Sequence, residues 1–178
     1  MTPQPGDIDT CKLAAVLYGP EDDVDALLAD FAVAAARRGE RIGGLVQRTV
    51  EVGANLSPAM QLVDLLTGRI IGISLPRGRN ATGCRLDPAG LAEAASAVTR
   101  AIEEGVALVI VNKFSKQEAA GQGLRNEIAL AVGASIPVLT AVPEKCLDAW
   151  GTFAGGQSTT LACEHGAIAA WWAKLSVA

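Results

Sequence analysis

Aromatic residues and histidine are scarce in this chain of 178 residues. Aromatic side chains make up 4% of the sequence although 50% of it is hydrophobic, and His165 is the single histidine. The core must be filled mainly by alanine, valine, leucine and isoleucine, which is typical of helices packed on a buried sheet. One histidine cannot build a typical zinc site by itself. Trp150, Trp171 and Trp172 are predicted core residues, although an exposed tryptophan pair would instead mark a homodimer or partner interface.

An excess of positive charge is also absent, since the net charge is −4 at pH 7. The chain creates no overall field that attracts nucleic acid or an anionic membrane, and we expect neither as a partner. No apolar run approaches the roughly 20 residues that cross a bilayer, so no membrane insertion is predicted. The first residues lack the basic and apolar segments of a signal peptide, which predicts a cytoplasmic protein.

The cysteines show no CxxC spacing, which disfavours a zinc knuckle or a redox motif. In the cytoplasm we expect them to be reduced. Cys84 lies close in sequence to Arg79 and Arg85, which favours a thiolate, but the single histidine is too distant in sequence to predict a general base. The segment Cys163-Glu164-His165 holds the single histidine, which with Cys146 or Glu164 could bind a metal; an ordinary tail loop is the interpretation that we prefer.

Strand and helix signals alternate along the chain. Short, continuously apolar runs predict buried parallel strands, and acidic first turns with basic last turns predict helices. Asp87 is a predicted N-cap, followed by Pro88 at the first helical position. The predicted strands span 12–18, 42–46, 107–111 and 136–142, and the predicted helices span 21–38, 87–104 and 123–132. A glycine-rich stretch at 151–156 and a final Ala/Trp helix complete the chain.

The middle of the chain breaks this alternation. Residues 61–65 and 69–73 are short apolar segments joined at Thr67 and Gly68, which predicts an antiparallel hairpin added to the main sheet. The length suits one well-filled core. We therefore predict an α/β fold, a three-layer sandwich around a mostly parallel sheet. Residues 1–10 would form a flexible tail, and residues 11–178 a single domain.

The order of these segments resembles that of an archaeal and bacterial nucleoside-triphosphatase family, related to adenylate-kinase-like P-loop proteins. Residues 39–48, 63–68, 107–118 and 136–142 carry this likeness. The resemblance implies a P-loop-like arrangement, with a phosphate-binding loop after the first strand and a Walker B strand at 107–111.

A closer resemblance is to the DUF2478 family of bacterial proteins, which are often encoded near molybdate transport genes. Residues 112–118, 121–125 and 149–156 carry it, and it extends over most of the chain from Leu13 to Trp172. The resemblance implies the same fold and a role in molybdenum-related metabolism. It assigns no activity, because a fold does not determine a function.

The stretch that corresponds to the phosphate-binding loop departs from the nucleoside-triphosphatase pattern. Such a loop needs glycine amides, a lysine for the β- and γ-phosphates and a hydroxyl for Mg²⁺. Residues 19–25 contain no lysine, serine or threonine and carry four carboxylates. Asn112 and Lys113 stand where those enzymes place an aspartate and a glutamate. The sequence therefore predicts a pseudo-NTPase without catalytic residues, without a metal and without turnover of Mg-ATP.

Basic and hydrogen-bonding residues follow the strand ends at which open α/β sheets bind their ligands. Such donors suit a small oxyanion site. The predicted ligand-binding residues are Arg48, Arg77, Arg79, Thr82, Lys113, Ser115, Lys116 and Arg125. The ligand would be phosphate, a nucleotide, molybdate or tungstate, and the gene neighbourhood of similar proteins favours molybdate. Alternatively, these side chains are solvated or are paired with Asp87, Glu118 and Glu127.

Two functions of other classes stay open from the sequence. A metal-dependent hydrolase acting on a nucleotide or phosphoester would hold its metal through Glu118 or through an acidic residue among Asp22, Asp23 and Asp25. A protein-interaction module would bind no small ligand and would present its surface to a molybdenum-transport partner. Phosphate release distinguishes the hydrolase, and co-purification of a partner protein distinguishes the interaction module.

Overall fold

Strands and helices alternate along the computed structural model, which describes residues 11–76, 78, 80 and 86–176. The predicted tail, residues 1–10, lies outside the described residues. The strands are β1 (Leu13–Tyr18), β2 (Ile42–Val50), β3 (Ala59–Asp64), β4 (Ile70–Gly72), β5 (Leu108–Val111), β6 (Val138–Pro143) and β7 (Thr159–Leu161). The helices are α1 (Val24–Arg37), α2 (Pro88–Glu103), α3 (Lys116–Ala119), α4 (Arg125–Gly133), α5 (Leu147–Ala154) and α6 (His165–Ser176), and a 3-10 turn spans Glu144–Cys146.

The described strands form a seven-stranded sheet in the order β4-β3-β2-β5-β6-β1-β7. From β2 to β7 neighbouring strands are parallel, and β3 and β4 pair antiparallel beyond β2. The mostly parallel sheet with an added hairpin, predicted from the sequence, is therefore confirmed. The carboxyl ends of β1, β2 and β5 meet at one edge, where ligands of open α/β sheets bind.

Strand β5 shows how the sheet buries both of its faces. Leu108 and Ile110 pack with α1 and α6, whereas Val109 and Val111 pack with α2, α4 and α5. All four side chains are completely buried. Burial of such a side chain stabilises the fold by about 1.5–3 kcal/mol, so the continuous apolar run is the expected pattern for a strand between two helical layers. The three-layer sandwich is confirmed.

The helix starts follow the capping residues. The Asp87 carboxylate accepts a hydrogen bond from the Ala89 amide at 3.0 Å, which confirms the predicted start of α2. Helix α1 begins at Val24, later than predicted, because the Asp23 carboxylate caps it by accepting the Ala26 amide at 3.1 Å. An N-cap residue has non-helical dihedral angles, so the helix cannot include the residues before it.

Strand β2 is longer than the predicted strand 42–46. It continues to Val50 because its second half pairs with β3, with Val50 opposite Ala59. Within it, Gly44 has a φ of +97°, and a Cβ at this position would lie 2.0 Å from the carbonyl oxygen of Ile110. Only glycine allows the two strands to approach this closely here.

The region after β6 was predicted least well. Helix α5 and strand β7 were both missed, because α5 contains Gly151 and β7 has 3 residues, too few to show a period. The tryptophans follow the core prediction: Trp150 is 1% exposed, Trp171 6% and Trp172 8%. The alternative of an exposed tryptophan pair is wrong. No helix in the described part of the chain is long and apolar enough to span a membrane.

Candidate functional site

The loop between β1 and α1 lies at the position for which the resemblance to P-loop proteins predicts a phosphate-binding loop. The exposed Asp22 carboxylate accepts the Gly19 amide at 2.7 Å, and the Asp22 amide donates to the Gly19 carbonyl at 3.3 Å. Asp23 accepts the Ala26 amide, as described above. Backbone amides of this loop and of the first turn of α1 are therefore occupied by the chain's own carboxylates. A bound phosphate would have to displace them and would be repelled by their charge.

Asp25, in the first turn of α1, receives two side chains from the end of β5. Its Oδ1 accepts the Lys113 ammonium at 3.0 Å and the Asn112 amide Nδ2 at 3.1 Å. The side chains of Asp25 and Lys113 are 26% and 19% exposed, so this ion pair is partly shielded from water. The peptide bond between Asn112 and Lys113 is cis. A carboxylate at the start of α1 and a lysine after β5 therefore neutralise each other at this edge of the sheet.

Tyr18, the last residue of β1, lies beneath Lys113. The lysine ammonium is 5.2 Å from the centre of the tyrosine ring. Burial raises the pKa of the Tyr18 hydroxyl, and the positive charge of Lys113 partly opposes this rise. The hydroxyl is therefore protonated at neutral pH and is a neutral hydrogen-bonding group rather than a base.

A cavity of about 310 Å³ opens beside this ion pair, at the carboxyl ends of β1, β2 and β5. Its polar lining residues come from β1, β2 and the segment after β5. Its apolar lining residues come from β3, the segments after β4 and before α4, and α2. The polar lining residues include Tyr18, Gln47, Asn112, Lys113, Ser115 and Lys116, and the apolar ones are Met60, Leu62, Ile73, Leu86, Leu91 and Leu124.

Glu118 stabilises α3, the short helix that forms part of the cavity wall. One carboxylate oxygen accepts the Ser115 amide and the other accepts the Leu124 amide, both at 3.0 Å. The residue is only 7% exposed. Gly123 has a φ of +62°, and a Cβ there would lie 2.2 Å from the Glu118 Oε1. Glu118 therefore holds the two ends of the α3 turn together, and both of its oxygens are engaged with backbone amides.

The structure brings three of the predicted ligand-binding residues together. Lys113, Ser115 and Lys116 line the cavity. Arg48 does not line it, because its Nε donates to Gln61 Oε1 at 2.8 Å on the exposed part of the β2–β3 pair. Arg77, Arg79 and Thr82 lie outside the described residues. Ligand binding by these residues stays a prediction.

Arg125, the remaining predicted residue, contacts α3 and α5. Its Nη1 donates to the Glu118 carbonyl at 3.3 Å, and its guanidinium lies 5.0 Å from the centre of the Phe153 ring. It does not line the cavity. Tyr18 and Gln47 also line the cavity and were not predicted from the sequence; the available signal was a polar residue near the ends of β1 and β2.

The metal alternatives find little geometric support. Among the described residues, no group of three or more histidine, cysteine, aspartate and glutamate side chains could hold a metal ion. His165 Nε2 lies 3.6 Å from Asp30 Oδ2, and both side chains are about two-thirds exposed. Burial, together with the charges of Asp22 and Asp23, raises the pKa of the Cys163 thiol, which disfavours a metal-binding thiolate. Cys84 lies outside the described residues.

Comparison with known proteins gives this site a family context. No solved structure matches the chain. Over 170 residues, 96% of its length, the chain is 56% identical to the molybdenum import ATP-binding protein ModC 2 of Bradyrhizobium diazoefficiens. It spans only 19% of that relative. Residues 13–171 match the family described as "Protein of unknown function (DUF2478)", and the chain therefore belongs to the DUF2478 family.

Proposed function

We propose that this chain is a non-catalytic pseudo-NTPase that binds a small oxyanion or a nucleotide, in the service of molybdenum metabolism. The observation that carries the proposal is the Asp25–Lys113 ion pair, which lies beside an open, lysine-lined cavity. In the proposed correspondence, Asp25 and Lys113 lie where a P-loop enzyme binds phosphate and Mg²⁺, and the two side chains neutralise each other. The neighbouring cavity is where a ligand would bind.

The loop after β1 supports the non-catalytic part of the proposal. A P-loop stabilises the transferred phosphoryl group with a lysine, a metal and free backbone amides. Here Asp22 and Asp23 accept backbone amides, and Asp25 accepts Lys113. Each carboxylate that occupies this position also repels a polyphosphate. The loop is therefore stable without a ligand and unsuited to ATP hydrolysis.

Lys116 supports the binding part of the proposal. It is exposed, lines the cavity and has no ion-pair partner among the described residues. Ser115 and Gln47 add hydrogen-bonding groups to the same cavity. A free ammonium with neighbouring donors suits an anionic group, and a cavity of this size suits a small molecule.

The likeness to ModC 2 supports the link to molybdenum. That relative is named as a molybdenum import ATP-binding protein, and the likeness extends over 96% of this chain. The chain spans 19% of the relative, so the remainder of that protein can contain the ATP-binding site that its name implies. We propose molybdate as the first ligand to test and a molybdenum-transport protein as the partner.

A ligand panel tests the proposal directly. We would measure thermal unfolding with molybdate, tungstate, sulfate, phosphate, ATP and GTP, each with and without Mg²⁺. A ligand at 100 times its Kd stabilises a protein by about 2.7 kcal/mol, enough to move Tm by several degrees. We expect selective stabilisation by one anion or nucleotide and no release of phosphate from ATP or GTP.

Two lysine variants locate the binding. Lys116→Ala should weaken the stabilising ligand about tenfold, as expected for the loss of one charge-assisted contact. The control is Lys145→Ala, since Lys145 is also exposed and does not line the cavity. A panel without any stabilising ligand would contradict the proposal and favour the interaction module. Metal-dependent phosphate release would contradict it in favour of the hydrolase.

A further inference from the structure

We infer that the cavity prefers an organic anion, that is, an apolar body with one anionic group, to a bare oxyanion or a polyphosphate. The inference rests on the proposed function, because it names the class of ligand for the same site. Two features of the cavity lead to it: its apolar lining, and a single lysine without an ion-pair partner among the described residues.

The apolar lining suits a ligand with an apolar body better than a hydrated ion. Six apolar side chains line the cavity, among them Leu62 on β3, Ile73 after β4 and the partly exposed Leu91 on α2. Molybdate, phosphate and sulfate gain nothing from contact with these groups and lose part of their hydration. An organic body buries its own apolar surface against this wall, and that burial favours binding.

The lysines that line the cavity provide positive charge for one anionic group of a ligand. Lys113 is already paired with Asp25, whereas Lys116 has no ion-pair partner among the described residues. The Glu118 carboxylate also lines the cavity. A polyphosphate would bring several negative charges to a wall that, in its described part, offers one uncompensated ammonium. A single phosphate or carboxylate group is the better electrostatic match.

Nucleoside monophosphates and their two halves test this inference. We would measure by calorimetry the affinities of the full chain for AMP, GMP, adenosine, guanosine, inorganic phosphate, molybdate and ATP. We expect AMP or GMP to bind at least about tenfold more tightly than phosphate, molybdate, the parent nucleoside or ATP. The organic body and the anionic group then both contribute to binding.

Two variants separate these contributions. Leu91→Gln should weaken the monophosphate and the nucleoside by a similar factor of about ten and leave phosphate unchanged. Lys116→Ala should weaken the monophosphate and leave the nucleoside unchanged. The matched control for Leu91→Gln is Leu130→Gln, because Leu130 is 54% exposed on α4 and does not line this cavity. Thermal unfolding without ligand verifies that each variant is folded.

The outcomes separate this inference from the proposed function. Molybdate or phosphate bound as tightly as AMP and GMP would overturn the inference and leave the proposed function standing. ATP bound more tightly than the monophosphates would also overturn it. If no probe bound at all, both proposals would fall.

Discussion

Two segments at the same edge of the sheet use carboxylates to hold backbone amides, with different consequences. In the loop between β1 and α1, Asp22 and Asp23 accept amides while both side chains are exposed. In the α3 turn, Glu118 accepts two amides while it is almost completely buried. The first segment binds amides of its own loop and of the first turn of α1. The second segment forms a wall of a cavity and leaves Lys116 free among the described residues.

A carboxylate that accepts backbone amides contributes differently to stability when it is exposed and when it is buried. An exposed N-cap carboxylate contributes about 1 kcal/mol, because water competes for the amides that it binds. A buried carboxylate with two amide donors contributes more, because its removal leaves two donors without water or protein. We therefore expect the loop after β1 to tolerate change and the α3 turn to be sensitive to it.

The largest predicted effect is that of Glu118→Ala. Removal of the carboxylate leaves the Ser115 and Leu124 amides without their acceptor and should lower the free energy of unfolding by about 3 kcal/mol. Chemical denaturation measures this loss. The control is Glu127→Ala on α4, a change away from such contacts that should cost less than about 0.5 kcal/mol. Equal losses for the two variants would contradict the role assigned to Glu118.

The second prediction concerns the ion pair between Asp25 on α1 and Lys113 after β5. Asp25→Ala leaves Lys113 and Asn112 without their shared acceptor. Because the pair is only partly shielded, we expect a loss of about 2 kcal/mol, between the values for exposed and buried pairs. The doubly exchanged variant Asp25→Lys with Lys113→Asp should recover part of this loss, as a double-mutant cycle would show. No recovery would mean that the two charges are not coupled.

The third prediction is a smaller loss at the exposed loop. Asp23→Ala removes the N-cap of α1 and should cost about 1 kcal/mol, measured by the same denaturation. Asp23→Asn retains an acceptor oxygen and should be nearly neutral. A loss for Asp23→Ala as large as that for Glu118→Ala would remove the contrast between the two segments.

The smallest effect is expected at Tyr18, the single tyrosine of the chain. Burial raises the pKa of its hydroxyl above the ordinary value of 10.0, and Lys113 lowers it in part. Lys113→Met should therefore raise this pKa further, which the tyrosinate absorbance reports as a function of pH. The folded protein holds this proton more tightly than the unfolded chain, so the associated stability is complete below pH 10 and is lost as pH rises through the folded-state pKa. An unchanged titration in Lys113→Met would place Lys113 away from Tyr18.

Much of the fold could be predicted from local signals. The apolar run of β5, the Asp87 cap and the Thr67–Gly68 hairpin each have a short-range pattern, and the structure has each of them. Strand β7 could not be predicted, because its 3 residues are stabilised by pairing with β1, which is distant in sequence. The second half of β2 was missed for the same reason, since β3 is what holds it extended.

The candidate site was predicted less completely than the fold. Lys113, Ser115 and Lys116 are close in sequence and do line one cavity, whereas Arg48 and Arg125 make their contacts outside it. Sequence alone could list charged residues near strand ends but could not pair them. Which cation meets which carboxylate depends on distances of a few ångströms between separate elements, because the interaction of two charges falls with their separation and with exposure to water.

The alternation of strands and helices, the lack of a lysine and a hydroxyl in residues 19–25, and the family could all be read from the amino-acid sequence. Those properties depend on local patterns and on which residue types are present. Three relations required the folded chain: Asp25 neutralises Lys113, Glu118 holds the α3 turn, and Lys116 lines a cavity without an ion-pair partner in the described part of the chain. These relations arise because the sheet places β2, β5, β6 and β1 side by side although they are distant in sequence, and no local pattern encodes that order.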